Sequence, residues 1–248
     1  MAKNTESNVY TVLFATGMVV IVGALLAFLA SSLKEKITEN KRIEKQQNIL
    51  YAMGVNENDE SSVTFISKDI VGEEFSKYIT KQVVITGTDV VEDESAYLID
   101  LKKEEGKAKN KEYQRRLPLF MGVKDNVEYY IIPVRGKGLW DAIWGYVAVD
   151  NKLVVQGVFF DHAGETPGLG SNIKERFFMD DFKGEHFLDG DLFKGISVSK
   201  GNSDPKNLDK TDFEVDAIAG STITGDGLAA MLKKDLQLYL PYLKTLKK

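Results

Sequence analysis

Hydrophobic positions are spread unevenly along this chain. Between Glu6 and Lys34 no side chain is charged, and residues 12–30 read VLFATGMVVIVGALLAFLA. As a helix this run is long enough to cross a hydrocarbon core of roughly 30 Å, so a single membrane-spanning helix is predicted. A cleaved signal peptide is the alternative, but its apolar region runs to roughly 7–15 residues behind a positive start. Here Lys3 is the only cation before a longer run, and Ala30-Ser31-Ser32 is the nearest approach to a cleavage site. Residues 34–52 (KEKITENKRIEKQQNILYA) are charge-rich and free of Pro and Gly. The helix is therefore expected to continue into water as a polar stalk that spaces a domain from the bilayer. The expected division is an anchor over 1–33, a stalk over 34–54 and a domain over 55–248, the last long enough to bury its own core.

Within that domain, residues 72–78 read as a short helix and 82–86 as a strand ended by Gly87. Residues 100–116 (DLKKEEGKAKNKEYQRR) are dense in charge and read as an exposed insertion or mobile loop. Strand signals cluster at 128–134, 144–149 and 153–160, with Asp150-Asn151-Lys152 as a hairpin turn. A short helix is expected over 171–181 and a strand over 195–200. A final helix over 227–240 places apolar residues 228, 231, 232, 236, 239 and 240 on one face, and Pro241 is expected to kink or end it. The fold class expected is α+β: one N-terminal transmembrane helix, then a soluble domain with a mixed or antiparallel sheet and flanking helices.

Composition then removes several chemistries. With no cysteine, disulfides, thiol nucleophiles and Cys-ligated zinc or iron–sulfur centres are excluded. The balance of 32 Lys+Arg against 37 Asp+Glu, a net charge of −5, disfavours a nucleic-acid partner, which needs concentrated positive charge. Ser221 is not in a G-x-S-x-G elbow, and Asp161-His162 is only an adjacent pair. His162 and His186 lack H-E-x-x-H spacing, and Asp180, Asp181 and Glu185 beside His186 read as a solvated helix and turn, so no metal site is expected.

Three stretches remain as candidate chemistry. Residues 161–170 (DHAGETPGLG) form a polar, glycine-rich loop after a strand, where a flat or phosphorylated ligand could approach the backbone, although a plain Pro-Gly turn explains the same residues. Residues 136–140 (GKGLW) put an aromatic ring beside flexible backbone, which suits a planar cofactor or simply a core tryptophan. Residues 216–227 (DAIAGSTITGDG) lead small and hydroxyl side chains into the final helix. A phosphate near Ser221, Thr222 or Thr224 would be stabilised there; an ordinary N-cap by Thr224 or Asp226 is the other reading.

Together these stretches resemble the flavin-binding domain of membrane redox complexes. Residues 165–170 (ETPGLG) are similar to that family's loop. Residues 216–222 (DAIAGST) resemble its attachment motif, Asp–(Gly/Ala)–x–(Ser/Thr)–Gly–(Ala/Ser)–Thr, whose last threonine carries FMN as a phosphoester. Ala219 departs from the hydroxyl usual at its position. With the 132–140 stretch (IPVRGKGLW) and Trp144-Gly145-Tyr146, the chain is most similar to the C subunits of sodium-translocating NADH:quinone oxidoreductases, with the G subunits of Rnf-type complexes as the next resemblance.

The resemblance implies covalent FMN on Thr222 and cofactor contacts from Ser221, Gly220, Thr224, Asp216, Glu165, Thr166, Gly168, Leu169, Gly170, Trp140 and Lys200, the last open equally to being a surface lysine. It also implies electron transfer toward quinone coupled to sodium export, neighbouring subunits bearing flavin and iron–sulfur centres, a flavin transferase for maturation, and an inner-membrane location with the domain on the periplasmic side. A flavin-binding sensor without turnover is the alternative of a different class. The predicted span holds hydroxyls such as Thr11 and Thr16 but nothing ionisable, so this chain alone is not expected to conduct sodium. Lys34, Lys36, Lys41, Arg42 and Lys45 follow the span, which by charge alone would place the domain inside the cell; the family implies the outside, and that side is expected.

Overall fold

The computed structural model describes residues 7–59, 62–201, 204 and 206–247; Lys3 and the rest of residues 1–6 lie outside them. One helix, α1 (Asn8–Ala52), runs without a break from residue 8 of the predicted anchor to residue 52 of the predicted stalk. The chain divides into two compact units, Met1–Arg42 and Ile43–Lys248. In the first, an 18-residue window of mean hydropathy 2.7 has none of its residues buried. Val12, Leu13, Phe14, Val19, Ile21 and Phe28 are all exposed, an arrangement suited to lipid. The second unit begins inside the stretch read as a spacer, because the end of α1 turns apolar: Ile49, Leu50 and Ala52 are fully buried in the core.

The second unit is built on a six-stranded sheet. Its strands are β1 (Ile79–Thr86), β2 (Asp89–Glu92), β3 (Arg116–Lys124), β4 (Val127–Lys137), β5 (Ala142–Val149) and β6 (Val155–His162). They lie in the order β2-β1-β3-β4-β5-β6, every neighbouring pair antiparallel. Local chemistry sets the turns. Asp125 and Asn126 between β3 and β4 both take positive φ, 51° and 62°, as a two-residue hairpin of the mirror-image kind requires. Asp150 Oδ1 accepts the N–H groups of Lys152 and Val154, and Leu153 at φ 63° delays β6 to Val155.

Both faces of the sheet are covered, and side-chain alternation assigns them. On one face Gly157 and Phe159 meet the end of α1, with Tyr51 and Phe159 rings 5.9 Å apart. On the other, β4 receives the last helix, α5 (Thr222–Leu246); a Cβ on Gly136 would stand 2.6 Å from Met231 Cβ. Phe160 joins Phe178 and Phe182 there, its ring 5.1 Å from that of Phe182. The apolar residues expected on one face of the last helix, Leu228, Met231, Leu232, Leu236, Tyr239 and Leu240, are all buried.

Several expectations are corrected. The 100–116 stretch holds a helix, α3 (Leu101–Lys107), capped by Asp100, and Glu104 is buried at 1% exposure with Arg116, Tyr113 and Lys107 as donors. The stretch stays largely exposed, but Glu104 with Arg116 and Lys107, and Glu105 with Arg135 and Lys234, tie it down as a folded strap. The helix expected over 171–181 is divided into a 3-10 turn Gly170–Lys174, a short α4 (Arg176–Met179) and a second turn Asp180–Phe182. The strand over 195–200 shrinks to Ser197–Val198, paired in parallel with Glu214–Val215. Helix α5 starts five residues early and passes through Pro241 to Leu246; Pro241 and Gln237, one turn before it, are both exposed, so water can satisfy the carbonyl that proline leaves free. Glu185 is not solvated but fully buried.

Candidate functional site

The three candidate stretches meet at one carboxylate. Glu165, 5% exposed, follows β6 and takes the backbone N–H of Trp140 at 2.9 Å on Oε1. Its Oε2 takes the hydroxyl of Thr224 at 2.6 Å. The loop between β4 and β5, the loop after β6 and the first turn of α5 are thereby tied together. Burial opposes the charge on Glu165, but the donors from Thr224, Trp140, Asp141 and Leu139 outweigh it and hold the carboxyl below its usual range. Gly138 and Gly170 leave room for it: a Cβ on either would fall 2.5 Å from a Glu165 oxygen. The Glu165 N–H is itself held by His162 Nδ1 at 3.1 Å. These contacts make Glu165, Thr224 and Gly170 buried parts of the site's frame.

An exposed rim lies over this frame. Thr166 accepts a turn bond from Leu169 N–H at 3.1 Å, with Pro167 and Gly168, φ 75°, at the corner as in a type II turn. The turn leaves Leu169 on the surface, packed against Gly220, where a Cβ would meet Leu169 Cδ2 at 2.9 Å; Gly220 itself holds φ 72°. Trp140 is 66% exposed, so it is not a core tryptophan, and its Nε1 donates to Thr166 Oγ1 at 3.2 Å. Leu139, Leu169 and Ile223 are exposed as well. Trp140, Thr166, Leu169 and Gly220 thus share one apolar surface with a few polar handles.

At the start of α5, Thr222 is the first helical residue and is exposed, while Ser221 at the cap position is buried and makes no capping bond. Neither capping alternative holds: Thr224 is spent on Glu165, and Asp226 pairs with Lys200 at 3.2 Å. Ser221, Thr222, Gly220, Lys200 and Asp226 line a cleft of about 110 Å³, a volume suited to a phosphate rather than a ring system. A group bonded to Thr222 would be held by the residues that line this cleft, Gly220, Ser221 and Lys200 among them. The residues fit such a group: an exposed hydroxyl, a buried hydroxyl of Ser221 without a partner among the described residues, a cation, and a helix N-terminus that favours anions.

Asp216 is not brought to the cleft. Its N–H donates to Asp181 Oδ2 at 2.8 Å, and its carboxyl is raised above the usual range by burial and by Asp181 and Asp204. It holds the incoming loop, as do Asn207 and Lys210, whose side chains donate to Asp181 O and reach the buried Glu185. In sequence Asp181 reads as solvated and Asn207 and Lys210 carry no signal, because nothing in their local spacing marks a bond made across 26 to 35 positions. Gly138 was visible only as one glycine of the GKGLW string.

Comparison with known proteins agrees with this geometry. Residues 138–237 match the family model of the FMN-binding domain, a span that contains the 161–170 and 216–227 stretches whole and the 136–140 stretch from Gly138 on. The chain is 27% identical to the C subunit of the Na(+)-translocating NADH-quinone reductase of Vibrio anguillarum, over 92% of this chain and 90% of that protein. With the C subunit of the Pseudomonas aeruginosa enzyme it shares 28% identity, over 92% and 91%. The crystal structure of the C subunit from Parabacteroides distasonis superposes with a TM-score of 0.72 at 29% identity, covering 85% of this chain and 96% of that one. Whole-length similarity, shared fold and matched domain make this chain a homologue of the C subunits of the Na(+)-translocating NADH-quinone reductases, with an FMN-binding domain.

Proposed function

We propose that the chain is a membrane-anchored electron-transfer subunit that carries FMN through a phosphoester to Thr222. The observation that carries this reading is the exposed Thr222 hydroxyl at the first position of α5, inside the small cleft with Lys200 and beside the apolar rim of Trp140 and Leu169. When bound there, FMN supplies the reversible gain and loss of electrons for which this cysteine-free chain has no group of its own. The chain's residues do the positioning. Gly220, Gly168 and Thr166 shape the rim, Glu165, Gly170 and Thr224 hold it to α5, and Asp216 fixes the loop that presents Thr222. Attachment is the work of a flavin transferase.

Electrons pass between this flavin and redox centres of neighbouring subunits, toward quinone. Sodium crosses elsewhere in the assembly, since residues 12–30 contain no ionisable side chain. Helix α1 holds the domain at the outer face of a bacterial inner membrane, where it meets the transferase. A single cysteine placed in the domain of this otherwise cysteine-free chain tests the side: labelling by an impermeant reagent in intact cells supports it, and protection until lysis overturns it.

The attachment is tested by intact-mass measurement of the full chain co-expressed with a flavin transferase. The expected result is an FMN-sized increment on the native chain and none on Thr222→Ala. An increment that survives in Thr222→Ala sinks the assignment.

A further inference from the structure

Residues 100–116 concentrate positive charge in a chain that is otherwise acidic. They hold seven Lys and Arg against four Asp and Glu, while the whole chain carries −5. Folding sorts the two signs. Glu104, 1% exposed, is taken by Arg116 and Lys107. Glu105 pairs with Lys234 at 2.9 Å and Arg135 at 3.6 Å, and Asp100 caps α3 by accepting the N–H of Lys103. Lys102, Lys103, Lys109 and Lys111 are left exposed, with Glu112 as the remaining acid, and none of the four forms an ion pair with a described residue. They repel one another without any compensating carboxylate in the domain. The strap beneath them is fastened by a buried carboxylate, so their positions are set before a partner arrives.

The strap also has a definite place on the domain. Glu105 and Lys234 both reach Arg135, Lys234 Nζ donating to its carbonyl at 2.9 Å, and Arg135 directly precedes the 136–140 loop that ends in the exposed Trp140. Among the described residues 100–116 no large apolar side chain is exposed. The strap therefore offers nothing to insert among lipid chains, whereas a protein surface dense in carboxylates complements it.

We propose that the exposed surface of this strap is a docking face for an acidic surface of a neighbouring subunit, whose carboxylates pair with Lys102, Lys103, Lys109 and Lys111 at the root of the Trp140 loop. This rests on the chain being one subunit of an assembly, and not on attachment at Thr222.

The test treats native membranes holding the assembled full chain with a carbodiimide, which joins a lysine amine directly to a carboxylate paired with it, and maps the joined peptides by mass spectrometry. Amide links from the strap lysines to Asp or Glu of another protein are expected. The combined variant Lys102→Glu, Lys103→Glu, Lys109→Glu and Lys111→Glu is expected to keep the Tm of the native chain, since no described residue pairs with these lysines. A tagged form of it is expected to retain roughly tenfold less of the linked subunit at low salt. Links confined to this chain, an unchanged amount of retained subunit, or a lowered Tm each overturns the docking face. Amine-reactive labelling separates protein from lipid. Strap lysines shielded both in membranes and in the detergent-solubilised assembly support the subunit; shielding in membranes alone gives the face to lipid headgroups and overturns it. A native chain that retains no other protein overturns the assembly reading and the docking face together, whereas retained subunits without strap links overturn the docking face alone. None of these readouts needs flavin, so none bears on Thr222.

Discussion

Thr224 gives its hydroxyl to Glu165 Oε2 at 2.6 Å, across 59 positions of sequence, and so locks the first turn of α5 to the loop after β6. Both partners are buried, so the bond has no water to replace it. Thr224→Val keeps the shape and removes the donor, and is expected to lower unfolding stability by about 1–3 kcal/mol. The urea midpoint measures this, and an unchanged midpoint would mean that the lock contributes nothing. The fraction of chain loaded with FMN is expected to fall with it, because the turn that presents Thr222 loosens.

Gly220 is the second fixed point of that turn. At φ 72°, with a prospective Cβ 2.9 Å from Leu169 Cδ2, Gly220→Ala meets both backbone strain and a clash. A loss of roughly 1–2 kcal/mol is expected from the left-handed conformation alone. Adding Leu169→Ala is expected to restore the clash portion and not the strain, which a double-mutant cycle separates.

Trp140 contributes at the surface. Trp140→Phe loses only the exposed bond from Nε1 to Thr166, so stability is expected to stay within about 0.5 kcal/mol. The visible absorbance of the loaded protein is expected to shift, as the ring at the rim changes; an identical spectrum would remove Trp140 from the flavin's surroundings.

Glu104 predicts acid sensitivity. Burial opposes its charge, but Arg116, Tyr113 and Lys107 overcome this and lower its carboxyl to about 2 from 4.5. A lowered native value means the unfolded chain binds the proton more readily, so the stabilisation is present above pH 4.5 and is lost as pH falls toward 2. Its full size is on the order of 3 kcal/mol. Glu104→Gln is expected to be less stable than native protein at pH 6 and to converge with it near pH 2.

Glu185 has the opposite sign. Burial, with Asp212 in support, raises its carboxyl to about 7 against Asn207 and Lys210. Here the native state binds the proton more tightly, so stability is greatest below pH 4.5 and is lost as pH rises toward 7. Glu185→Gln, which keeps size and polarity, is expected to flatten this slope between pH 4.5 and 7 in denaturant titrations. A slope equal to that of native protein would show that Glu185 titrates normally.

The elements that were legible in sequence are those whose stability is local. The hydropathy of residues 12–30, the alternation along β4, β5 and β6, and the apolar face of α5 each announce themselves within one element. The misjudged ones depend on partners elsewhere. Residues 100–116 looked solvated because a single sequence does not reveal that Glu104 is buried under Arg116 and Tyr113. Glu185 looked solvated because Asn207 and Lys210 lie more than 20 positions away. The sequence points to a later start for α5 because Thr222, Thr224 and Gly225 are weak helix formers, and the Glu165 to Thr224 bond outweighs that preference.

By itself, the sequence determined the long apolar N-terminal helix, the helix-and-sheet class of the domain, the absence of thiol chemistry and the three stretches that carry the flavin resemblance. All of these follow from local periodicity, composition or contiguous motif. Tertiary structure alone decided that the three stretches share one buried carboxylate, that Trp140 stands on the surface, that Asp216 does not line the cleft, and that the Ser221 hydroxyl is buried without a partner among the described residues. Such relations depend on distances between residues remote in sequence, which the pairing of β4, β5 and β6 and the packing of α5 onto β4 set together.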